Sequence, residues 1–71
     1  MQNCEELANA IILQAVKDYR KALRSLKKNP TNPRQLQMQK ECERFFLSDW
    51  FQILTSIDGK MLIRKLQEED K

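Results

Sequence analysis

The stretch Lys27-Lys28-Asn29-Pro30-Thr31-Asn32-Pro33-Arg34 decides the fold. Pro30 pushes Asn29 out of helical geometry, so a helix arriving from the N-terminal side ends there. Asn32 offers a side-chain oxygen as an N-cap, and Pro33 suits a first helical position, where no backbone N–H is needed. With stop and start this close, the two helices return antiparallel. Upstream, residues 5–28 contain neither Gly nor Pro and are mostly good helix formers.

Within that upstream helix Ala8, Ile12, Ala15, Val16, Tyr19, Ala22, Leu23 and Leu26 share one face at helical spacing, with Ile11 at the margin. The stripe is about 120° wide, the width of a core-facing helix. Asn3 is its expected N-cap. Glu5 and Glu6 in the first turn and Lys27 and Lys28 in the last complement the helix dipole. Downstream, a helix over 33–47 has a core stripe of Met38, Cys42, Phe45 and Phe46, with Leu36 and Leu47 on the opposite side. Ser48 is the expected cap of a short helix over 49–54; the alternative is a second helix running unbroken to Leu54. Thr55 or Ser56 caps a last helix over 57–69, with Asp58 in its first turn and a frayed tail. The expected fold is therefore all-α: one domain over 1–71, a long antiparallel helical hairpin (about 5–28 and 33–47) closed by two short helices.

Composition narrows the chemistry. The 71 residues include no histidine, which removes the commonest general base and zinc ligand. One glycine precludes a Gly-rich phosphate loop, and two cysteines without C-x-x-C spacing make no tetrahedral metal site. The chain is expected to be no enzyme and to carry no cofactor or metal. No apolar run reaches the roughly 18–20 residues of a membrane span. The acidic start lacks a signal peptide's basic region, so a cytoplasmic address with reduced thiols is expected. In a straight hairpin Cys4 lies about 24 Å along the axis from Cys42, against a Cα limit of about 7 Å for a disulfide. Cys42 then reads as a small core residue and Cys4 as a terminal thiol.

The charge is uneven. Residues 17–40 carry a formal +7, while 1–16 and 41–71 carry −2 each. Lys17, Arg20, Lys21, Arg24, Lys27 and Lys28 form a basic ridge about 17 Å long, beside and opposite the apolar stripe. Three readings stay open: a solvated helix face, an acidic protein partner, or a nucleic-acid backbone. Gln35, Gln37 and Gln39 are candidate base readers, or solvated amides. A helix-turn-helix over Phe45–Leu66 would expose few cations (Lys60, Arg64, Lys65) on a rather apolar second helix. Asp49 and Asp58, a formal carboxylate pair, sit where helix starts favour acids and read as caps.

Phe45, Phe46, Trp50 and Phe51 lie within seven residues. On a continuous helix Phe46 and Trp50 share a face while Phe51 turns away. They read as core, or as an apolar anchor for a partner (Trp50, Phe46, Phe51). One small core cannot hold every apolar side chain, so some of Leu7, Leu13, Leu36, Leu47 and Trp50 should stay exposed unless another chain covers them. Near this size net stability is only roughly 3–5 kcal/mol, so partner binding or a homodimer is expected.

Two segments, Ala15–Leu23 (AVKDYRKAL) and Glu43–Leu66 with its pattern F-F-x-S-D-W-F followed by D-G-x-x-L-I, resemble short uncharacterised proteins of phages and integrative elements of Gram-positive bacteria. The resemblance spans roughly residues 8–66 and brings a genomic setting without assigned site residues. It implies a mobile-element accessory protein acting by binding another protein, such as a host or defence factor that it inhibits. The alternative is a small DNA- or RNA-binding regulator using the basic ridge.

Overall fold

The computed structural model describes residues 4–69, with side-chain surroundings from residue 6 onward. They form four helices in chain order: α1 (Cys4–Lys28), α2 (Pro33–Phe46), α3 (Asp49–Leu54) and α4 (Gly59–Glu69). No strand occurs among the described residues. The all-α hairpin with two short closing helices is the architecture expected from the sequence. The expected cap Asn3 lies outside the described residues.

Local chemistry sets each boundary. Asn32 is extended (φ −62°, ψ 111°) and its Oδ1 accepts from the backbone N–H groups of Arg34 and Gln35 at 3.0 and 3.4 Å. That satisfies two of the orphan donors at the start of α2. The α2–α3 break is fixed by Ser48. Its hydroxyl donates to the Phe45 carbonyl at 2.6 Å and accepts from the Phe51 N–H at 3.2 Å, so one side chain closes α2 and opens α3. This selects the bend over an unbroken helix.

At the last junction the expectation needs correction. Asp58 caps α4 from outside it: its Oδ1 accepts from the Lys60 N–H, and its carbonyl accepts from the Leu62 N–H, both at 3.0 Å. Thr55 Oγ1 accepts from the Ile57 N–H at 3.3 Å and shapes the turn, so the helix starts at Gly59, two residues later than expected. The short Asp side chain competes best for free N–H groups next to it, and Gly59 follows for a tertiary reason. A Cβ there would overlap the Phe46 carbonyl oxygen, so the start of α4 lies directly on the end of α2.

The core is one cluster: Ile12, Tyr19, Cys42, Phe46, Phe51 and Leu66 are buried, with Val16, Leu23, Leu54 and Leu62 among those packed around it. Four aromatic rings interlock at its centre. Tyr19 meets Phe46 edge-on at 5.8 Å, and Phe51 meets both Phe45 and Phe46 at 5.6 Å. Edge-to-face pairs at such distances add about 0.5–1.5 kcal/mol each beyond their burial. The α1 stripe faces this core, with Ala8, Ile12, Tyr19 and Ala22 buried. The first helix spans the long dimension of a 40 × 24 × 19 Å molecule. α4 lies against the hairpin on the side of Tyr19 and Arg20.

Candidate functional site

Two surfaces meet on α1. The basic ridge is the first. Lys17, Arg20, Lys21, Arg24, Lys27 and Lys28 are all exposed. Arg20, however, is engaged within the chain: its Nη2 donates to Glu69 Oε2 at 2.9 Å. Arg24 and Leu66 line the same hollow of about 350 Å³ as this pair. The acidic end of α4 therefore reaches the middle of the ridge and neutralises one of its charges. Lys17, Lys21, Arg24 and Lys28 have no ion pair among the described residues.

A part-buried polar chain backs that contact. Tyr19 is fully buried, and its hydroxyl donates to Glu43 Oε2 at 2.7 Å and accepts from Gln67 Nε2 at 3.1 Å. Gln39 donates to the same Glu43 oxygen at 3.3 Å. Burial, and then the neighbouring Glu43 carboxylate, push the Tyr19 phenol up to about 12. Tyr19 thus stays a neutral donor and ties all three long helices together.

The second surface is apolar. Trp50 is 54% exposed, yet its ring stands edge-on to Phe45 at 5.6 Å and 77°. With Phe45 it walls a shallow groove of about 440 Å³ floored by Ala10, Ile11 and Ala15 and edged by Gln14 and Asp18. Phe46 and Phe51, expected beside Trp50 as an anchor, are 1% and 0% exposed and belong to the core. Phe46 belongs to the α2 core stripe; for Phe51 the physical reason is the Ser48 break. Facing computed along a continuous helix puts Phe46 with Trp50, but the turn at Leu47–Ser48 rotates α3, so Phe51 points inward and Trp50 outward. The anchor reduces to Trp50. Leu7, Leu13, Leu36 and Leu47 are exposed as well, as the small core requires.

Other candidates find quieter roles. Gln37 donates to Glu41 at 3.2 Å and Gln39 to Glu43, so two of the three amides proposed as base readers serve carboxylates on their own helix. Lys60, Arg64 and Lys65 are exposed on α4, but the end of that helix is engaged with α1 through Gln67 and Glu69. Asp58 is a cap and Asp49 lies in the first turn of α3. Cys42 is a buried free thiol, pushed up to about 11 by burial and by the nearby Asp18, Glu41 and Glu43 carboxylates. Among the described residues no three His, Cys, Asp or Glu side chains gather as a metal site, and no helix is long and apolar enough to cross a membrane. The groove residues Ala10, Gln14 and Asp18 were not evident as a site from the sequence. Their only signal was their position at i, i+4 and i+8 beside the apolar stripe, and a helix wheel does not say whether such a flank is covered.

Comparison with protein-family models, with curated proteins and with solved structures returns no match. The fold and its two surfaces are therefore the basis for a functional reading.

Proposed function

We propose that this chain is a non-enzymatic accessory protein of a mobile element that works by binding another protein, inhibition of a host or defence factor being one form of that role. Trp50 carries the reading. An indole half exposed and packed edge-on against Phe45 offers a large apolar area for a partner to cover, as interface anchors do. The adjoining ridge supplies electrostatic steering toward an acidic partner. The accessory role itself follows from the sequence resemblance. The direct test is affinity capture from host extract with wild type and Trp50→Ala: a specific partner lost with the variant supports the reading. Retention of nothing, or equal retention by both, counts against it.

A second reading, a small nucleic-acid-binding regulator, is favoured by the unpaired cations Lys17, Lys21, Arg24 and Lys28 on one face of α1. A labelled duplex separates the two. Binding through these cations weakens by about 0.9 log units per log unit of salt for each phosphate contact. An apolar protein interface weakens far less.

A further inference from the structure

We infer that the open side of the α1–α2 seam is a docking groove for a short amphipathic helix of another protein, apolar where it meets Trp50 and acidic where it meets Lys21 and Arg34. This rests on the protein-binding reading above and adds the chemistry of the partner.

A pair of antiparallel helices has a seam on each side. Here α4 lies along one, through Leu66 and the bonds of Gln67 to Tyr19 and Glu69 to Arg20. The other is open. Two hollows lie along it, the groove at Trp50 and a second of about 240 Å³ lined by Lys21, Arg34, Gln35 and Met38. Asp18 lines both, so the two hollows adjoin along this side of α1. Their α1 edge runs from Ala10 to Lys21, about 17 Å, or three turns of a docked helix. A trough between two helices receives a third by the packing that joins helices in bundles.

The two ends differ. At one end Ala10 and Ala15 leave space beside the paired Phe45 and Trp50 rings, room for large apolar side chains. At the other, Lys21 and Arg34 have no ion pair among the described residues. Asp18 lies between them, but it accepts from Gln14 Nε2 at 3.0 Å. Glu41, further along the same edge of α2, accepts from Gln37. Both acids keep their charge, but neither forms an ion pair with Lys21 or Arg34, and two cations face one lining carboxylate in this hollow. A nucleic-acid backbone would satisfy the cations and leave Trp50 and Ile11 uncovered, so the apolar half favours a peptide. A second copy is disfavoured because this chain's own acid-ended helix, α4, is already seated in its bundle through Leu66.

The test uses the full chain against a yeast-displayed library of 14-residue helical peptides randomised along one face. Enriched peptides are expected to carry large apolar residues at one end and Asp or Glu at the other. Their binding should fall about tenfold or more on Lys21→Glu with Arg34→Glu. Exchanging their acids for lysine should restore binding to that double variant. Circular dichroism verifies that it folds. The proposal is overturned if nothing is enriched, if the enriched peptides show no acidic bias, or if they ignore the charge reversal. It is also overturned if light scattering finds a dimer that the reversal dissociates, because the occupant is then a second copy. A host protein lost with Trp50→Ala but retained by Lys21→Glu/Arg34→Glu overturns the groove while preserving the protein-binding reading. Capture of duplex alone ends both.

Discussion

Arg20 and Glu69 lie 49 positions apart in the chain, and their side chains meet at 2.9 Å, so the acidic end of α4 rests on the middle of the basic ridge. Both are about half exposed, and exposed pairs contribute only about 0–1 kcal/mol. Glu69→Gln should therefore leave the melting temperature within a few degrees of wild type. Its effect should appear in anion binding. With Arg20 released, the salt dependence of duplex or heparin binding should steepen by about 0.9 log units per log unit of salt, one added contact. An unchanged slope means that Arg20 does not face the ligand.

Tyr19 and Cys42 give the fold an alkaline limit. The phenol is raised from about 10 to about 12 and the thiol from about 9 to about 11, both mainly by burial. The folded chain holds each proton in a window where the unfolded chain has lost it. Their contribution to stability is complete below about pH 9 and falls as pH rises through the folded values. Urea denaturation between pH 7 and 11 should show a plateau and then a decline. Tyr19→Phe should lose the tyrosine part of that decline. It should also cost about 1.5–3 kcal/mol at pH 7, the worth of a hydrogen bond to a charged carboxylate.

Gly59→Ala tests the seat of α4 on α2. The new methyl would meet the Phe46 carbonyl, a backbone atom that cannot step aside alone. Overpacking of this kind costs about 1–3 kcal/mol, much of the total for a domain this small. The expected result is a lower thermal midpoint and a population partly unfolded at 25 °C. A midpoint equal to wild type would mean that α4 sits further from α2.

Phe51 and Trp50 are neighbours with opposite expected outcomes. Phe51→Ala empties the core and should cost about 3–5 kcal/mol, enough to unfold the chain. Trp50→Ala removes a half-exposed ring whose main neighbour is Phe45, and the protein should remain folded. Chemical denaturation of the pair checks the division between core and surface. Comparable losses would place Trp50 in the core and remove it as an anchor.

Much of this was legible in order of residues alone. Pro30, Asn32, Pro33 and Ser48 act on backbone atoms a few positions away, so the breaks they impose need no knowledge of what packs where. The α1 stripe was equally legible, because a helix's own period decides which of its side chains can face inward together. Phe46 is buried as the α2 stripe requires, and the anchor reading failed for Phe51 where a face was extrapolated through a break. Once Ser48 turns the chain, the period no longer counts from the same origin.

What only the tertiary structure decided is which faces remain open. Arg20 looks free along the sequence and is bound to Glu69; Glu43 looks like a surface acid and accepts from a buried tyrosine. α4 could lie on either side of the hairpin by its own amphipathic pattern. Packing of Leu66 and Gly59 chose one side, and that choice left the groove at Trp50 open on the other. Backbone propensities and caps are local and can be read residue by residue. Burial is a competition among all apolar faces for one small core, and only the assembled chain shows which face lost.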